Sequence, residues 1–159
     1  MPSINDIVLT HYSDKPVVFD DRVYEQDTWH KPRGLWLSDD SDYGWKEWCE
    51  SEHFSTNSMA TITEYSFAES ANILWLKTFR EILSMRDRYP IGSVEEYDYK
   101  KPVYQIDWPK VAQEYDGILI TPYSWELRLN PQTSWYYPWD CASACVWNTS
   151  VLKVRERVE

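Results

Sequence analysis

"KPRGLWLSDD", residues 31–40, is the stretch on which the reading of this chain turns. A Pro and Gly34, one of only four glycines, precede the apolar run Leu35–Leu37, which carries Trp36 and closes on Ser38 and two acids. A short apolar run bounded by Pro and Gly on one side and polar residues on the other predicts a β-strand. Burial statistics for aromatics place Trp36 in a core, yet its broad apolar face and polar tip also suit the wall of a ligand cleft. Which of the two holds depends on what the rest of the chain brings to that strand.

At 159 residues the chain is expected to form one domain, 1–159, large enough to bury a core without disulfide staples. Hydrophobic content of 43% and charged content of 26% exclude a disordered chain, while the aromatic share is high at 16%, with 10 Trp and 12 Tyr. A net charge of −10 repels phosphate backbones and disfavours sequence-independent nucleic-acid binding. No apolar window of about 18 residues is present. "MPSINDIVLTHYS" lacks the basic and apolar regions of a secretory signal, so a cytoplasmic protein with no membrane association is expected.

Outward from the quoted strand, "DIVLTHYS" predicts a strand before it, and "KPVVFDDRVYE" two short strands or strand edges. After it, Trp45, Trp48 and Cys49 share one face of a helix that Ser41 or Asp42 would cap. "MATITEYSF" predicts a strand. In "ESANILWLKTFREILSMRDRY", Ile73, Leu76, Phe79 or Arg80 and Leu83 recur at helical intervals, predicting one helix ended by Pro90. "IGSVEEYDYKKP" predicts a surface loop. Asp107 as cap and Pro109 in the first turn predict a short helix, followed by a strand over 117–122. The remainder predicts a loop around "NPQTSWYYP" and one or two closing strands. No repeat or linker divides the chain, and the sum is an α+β protein with a mostly antiparallel sheet.

His30 and His53 stand among polar neighbours, the setting of solvated side chains. His11 instead ends an apolar strand, followed by Tyr12 and Ser13, where a sheet delivers it to an edge or cleft. The three cysteines argue against a disulfide framework. Cys49 and His53 could begin a zinc pattern with Cys141 and Cys145, but no second His or paired C-x-x-C knuckle completes it, and no metal site is expected.

The order of "THYS", "GLWLS", "YDGILI" and "WDCASACVW" resembles the ADP-ribosyltransferase superfamily, in the branch with a His, Tyr, Glu-type triad. His11 and Ser13 match its first strand motif. Gly34–Ser38 match its second with Trp36 at the aromatic position, and Tyr115–Ile118 match the stretch that precedes its last catalytic strand. Asp140 falls where an acid opens that strand, with Glu126 as the reserve candidate. The chain departs from the pattern with Tyr12 for Gly, Trp36 for Tyr and Asp140 for Glu. Trp stacks on a nicotinamide ring as Tyr does; Asp is one methylene shorter than Glu.

The resemblance implies split, mostly antiparallel sheets with a few helices around an NAD cleft. It makes His11, Trp36 and Asp140 the catalytic set and Tyr12, Ser13, Arg33, Gly34 and Ser38 the residues that hold NAD, the substrate; Lys31 and Arg33 are then candidates for its pyrophosphate. The implied activity transfers ADP-ribose to a protein or nucleic-acid acceptor and releases nicotinamide, as in a bacterial toxin, with a possible antitoxin partner, or a phage-encoded effector. Two rival readings need no triad. One is a non-catalytic module whose Trp and Tyr stack a nucleotide, a sugar or a protein partner. The other is a small acidic inhibitor mimicking nucleic acid, for which the acids should cluster, whereas they run from Asp6 to Glu159.

Overall fold

A computed structural model describes residues 3–15, 20–27, 31–52, 61–91 and 106–155. Seven strands form one sheet: β1 (Leu9–Ser13), β2 (Leu35–Ser38), β3 (Thr61–Phe67), β4 (Ile73–Leu76), β5 (Gly117–Ile120), β6 (Ser143–Val146) and β7 (Leu152–Val154), in the order β4-β5-β6-β2-β1-β3-β7. All neighbours run antiparallel except β4 and β5. Three helices, α1 (Trp45–Glu52), α2 (Phe79–Arg88) and α3 (Trp108–Glu114), complete an α+β architecture.

The two-residue period of a strand sorts the apolar side chains into two cores. Leu74, Ile118 and Cys145 lie on one face, registered strand to strand, and α2 and α3 bury Ile82, Met85, Trp108 and Val111 against them together with Trp135 and Trp139. The other face carries Leu9, Leu37, Tyr65, Leu119 and Ala144. Both faces of β5 and β6 are buried, which is why "GILI" and "SACV" read as continuous apolar runs instead of alternating ones.

The long helix expected from Ile73 is interrupted. Ile73–Leu76 is strand β4, parallel to β5, and the helix begins at Phe79, where the Thr78 hydroxyl accepts the Glu81 backbone N–H at 3.2 Å. A Thr followed three residues later by Glu is a helix-start signature, and it marks the boundary that apolar spacing alone missed. Residues 20–25 hold no strand, only an isolated bridge from Val23 to Asn148; the rest of the run expected there, like the loop expected over 91–102, lies largely outside the described residues. Asp107 caps α3 as expected, with Pro109 in its first turn.

Two glycines are explained by packing. A Cβ at Gly34 would sit 2.5 Å from the Val146 carbonyl oxygen, and one at Gly117 would sit 2.8 Å from the Cys145 carbonyl oxygen. Both mark places where a neighbouring strand passes too close for any side chain. Asp116, just before Gly117, accepts from the Asn72 backbone N–H and the Asn148 side chain, tying the start of β4 to the end of β6. The "YDGI" stretch thus forms a structural corner of the sheet.

The sheet is weakest at its centre. β1 pairs with β3 over five residues and β2 with β6 over four, but between β1 and β2 the register holds one pair, Thr10 with Ser38. Where the resemblance implied split sheets, the structure has one continuous seven-stranded sheet, held between β1 and β2 by that one registered pair.

Candidate functional site

Beyond Thr10 and Ser38, antiparallel pairing would set His11 opposite Leu37 and Tyr12 opposite Trp36, but neither pair is registered. There the His11 side chain bonds the neighbouring strand: its Nδ1 lies 2.8 Å from the Trp36 carbonyl oxygen. A carbonyl only accepts, so Nδ1 carries the proton, and in the neutral ring Nε2 keeps a free lone pair. The strands part around this bond, and a cavity of 280 Å³ opens there.

Each wall comes from a different element. β1 supplies Thr10, His11 and Tyr12; β2 supplies Trp36, Leu37 and Ser38; Trp45 opens α1; Trp139, Asp140 and Cys141 lead into β6; and Lys31 precedes β2. His11, Tyr12, Lys31, Trp36, Trp45 and Asp140 all keep partial exposure, so the cavity is open to solvent. Trp36 is held from behind by Trp139, edge to face at 4.9 Å, and Trp139 packs in turn on Trp135.

Asp140 is fixed from two sides. Its backbone neighbours are tied down, the Trp139 carbonyl accepting the Tyr123 hydroxyl at 2.6 Å and the Ala142 N–H donating to the Tyr43 carbonyl at 2.7 Å. Arg128 Nη2 stands 3.5 Å from Asp140 Oδ1. Burial pushes the Asp140 carboxyl above the usual carboxylate range, while Lys31 and Arg128 pull it back. Burial likewise lowers the Lys31 ammonium, with Asp140 opposing. The thiols of Cys49, Cys141 and Cys145 are all raised by burial, Cys141 to about 12, so none is a ready nucleophile.

His11, Trp36 and Asp140, separated by up to most of the chain length, thus line one cavity. Tyr12 lines it too, its hydroxyl donating to Asp40. Ser38 borders it, but its hydroxyl is already committed: it donates to Asp40 Oδ1 at 2.8 Å and accepts the Trp45 N–H at 2.7 Å, which seats the start of α1. That helix begins at Trp45, not at a Ser41 or Asp42 cap. Gly44, just before it, has no room for a Cβ against Asp40 and Ser38.

Three other expected contacts are outside the cavity lining. Ser13 turns its hydroxyl to the Lys15 carbonyl, 2.7 Å away. Arg33 pairs with Asp27 at 2.6 Å, and Gly34 is the close-approach position against Val146. Glu126 is exposed on the turn Trp125–Leu127 and does not line the cavity, so the acid that faces His11 and Trp36 is Asp140. Trp45 lies in none of the quoted motifs and Trp139 in the last of them, and both line the cavity beside the candidate site residues without having been among them. The signal for them was adjacency, one at the expected helix start and the other next to Asp140.

Among the described residues no group of three His, Cys, Asp or Glu side chains could hold a metal ion; His53 lies outside them. No described helix is long and apolar enough to cross a membrane. Comparison with protein-family models, curated proteins and solved structures finds no match.

Proposed function

We propose that this chain is an NAD-dependent ADP-ribosyltransferase that transfers ADP-ribose to a macromolecular acceptor and releases nicotinamide. The observation that carries the reading is the convergence of His11, Trp36 and Asp140 on one cavity, at the point where β1 and β2 part. A non-catalytic module needs no such meeting of a histidine, an aromatic face and a half-buried carboxylate.

The chemistry accounts for the residue types. The bond from the nicotinamide nitrogen to the ribose C1 breaks, nicotinamide departs neutral with the electron pair, and positive charge develops on the ribose as an oxocarbenium. A carboxylate beside that charge stabilises it, as in glycoside hydrolysis, and Asp140 fills this role. The acceptor's nucleophilic atom then bonds to C1 and gives up its proton to solvent. Trp36 forms one wall of the ring slot. His11, with Nδ1 held by the Trp36 carbonyl, presents Nε2 to accept from a ribose hydroxyl. A cavity of 280 Å³ is near the lower end, about 300 Å³, of small-molecule clefts, enough for the nicotinamide and ribose end with the rest of the dinucleotide outside.

Incubating the protein with NAD labelled on the adenylate, together with bacterial lysate, and separating protein, RNA and DNA tests the reading. Label in one macromolecular fraction, absent with Asp140→Asn, is the expected result. No label in any fraction and no free nicotinamide would remove the enzyme.

A further inference from the structure

A cation already occupies the cavity. Lys31 Nζ lies 4.8 Å from the Trp36 ring centroid, and Lys31 is the only Lys or Arg among the described residues that line the cavity, alongside the carboxylate of Asp140. Two further indoles, Trp45 and Trp139, belong to the same walls. An ammonium over an aromatic face, in a cavity that also carries a carboxylate, meets the surroundings that organic cations meet in aromatic cages. Lys31 therefore covers a face of Trp36 on which a planar ring could otherwise stack.

We propose that this cavity is a cation site whose resident is the ammonium of Lys31, and that it exchanges this resident for a flat pyridinium cation, with Lys31 acting as an internal competitor that sets the affinity. Burial disfavours the charged form of Lys31 more than the Asp140 carboxylate supports it, so moving the ammonium out to water relieves a desolvation cost. Its four-carbon stem is flexible, and the head can swing to water while its place on Trp36 is taken. The choice of pyridinium, the charged ring of oxidised NAD, rests on the transferase reading; the cage itself rests on the geometry of Lys31, Trp36 and Asp140. One consequence is selection of the oxidised dinucleotide over the reduced one, whose ring is neutral.

The test titrates the full-length protein with 1-methylnicotinamide, a pyridinium cation, and with neutral nicotinamide, followed by calorimetry or tryptophan fluorescence. Neither probe carries phosphate. Wild type is expected to bind the cation at least about fivefold more tightly than the neutral ring. Lys31→Met should strengthen binding of both rings, the cation by about threefold to tenfold and nicotinamide by less because it gains no relief from charge repulsion, whereas Lys31→Arg, which keeps a charge, should show no gain. A wild type that binds neither probe or shows no charge preference overturns the proposal, as does a Lys31→Met protein whose cation affinity is unchanged or weaker. The unchanged case is what a pyrophosphate-binding Lys31 would give. Should Lys31→Met fail to fold by circular dichroism, Asp140→Asn decides: loss of the charge preference supports the cage, and its retention overturns it. Charge preference without nicotinamide release from NAD would leave the cage and remove the transferase; release without charge preference would do the reverse.

Discussion

Asp140 holds its charge where burial disfavours it, and that fixes the sign of its pH effects. Its carboxyl is raised in the folded protein above the ordinary 3.8, chiefly by desolvation, with Lys31 and Arg128 opposing. A carboxyl raised on folding favours the folded state most below that ordinary value, and this contribution is lost as pH rises through the raised value. Near neutral pH the ionised group therefore weakens the fold. Asp140→Asn is expected to keep or raise the thermal unfolding midpoint there, while nicotinamide release falls by about a hundredfold or more. A lower midpoint at neutral pH would show that the ion pair with Arg128 outweighs the desolvation. The acid limb of the activity profile should lie above the ordinary carboxylate value, and Lys31→Met should move it higher, because Lys31 now holds the carboxyl down. At this scale the order of His11, Trp36 and Asp140 along the chain was legible, and the three line one cavity. Ser13, Arg33 and Gly34 do not line it, and spacing does not reveal which polar atoms are already engaged: Ser13 with the Lys15 carbonyl, Arg33 with Asp27.

At the scale of elements, the strand carrying Trp36 is positioned by Gly34. The approach of 2.5 Å to the Val146 carbonyl oxygen is against backbone, which cannot swing aside as a flexible side chain can. Gly34→Ala should therefore push β2 off β6 and lower stability by about 1–3 kcal/mol, read as a reduced urea midpoint with an unchanged slope. An unaltered midpoint would mean the strands adjust freely, and with them the Trp36 wall. The same scale shows why one helix boundary escaped the periodicity. Ile73, Leu76 and Leu83 do recur at helical intervals, but Ile73–Leu76 is too short and apolar for periodicity to tell strand from helix. Its partner, β5, lies more than forty residues on, across the parallel pairing Ile73 with Gly117 to Leu76 with Ile120. Trp45 was legible as a helical residue and not as a cavity wall, since the turn that seats it depends on the Ser38 hydroxyl.

For the whole molecule, the strand order brings distant segments together. β3, β1 and β7 lie on one side of the opening and β2, β6, β5 and β4 on the other, so the first strand and the approach to β6 face each other across it. An antiparallel α+β sheet could be expected from the sequence; the single Thr10–Ser38 pair at its centre could not, because register follows from both partners at once. The aromatic content finds its physical account here as well: Trp36, Trp139 and Trp135 form a chain of ring contacts from the cavity into the core, so the same residues fill the interior and shape the site. The most direct measurement of the central claim is chromatographic quantification of nicotinamide released from NAD by wild type, His11→Ala, Trp36→Ala and Asp140→Asn, each first shown to be folded. Release by wild type, strongly reduced in all three variants and most in Asp140→Asn, is the predicted result. No release by wild type, or equal release by all four proteins, would contradict it.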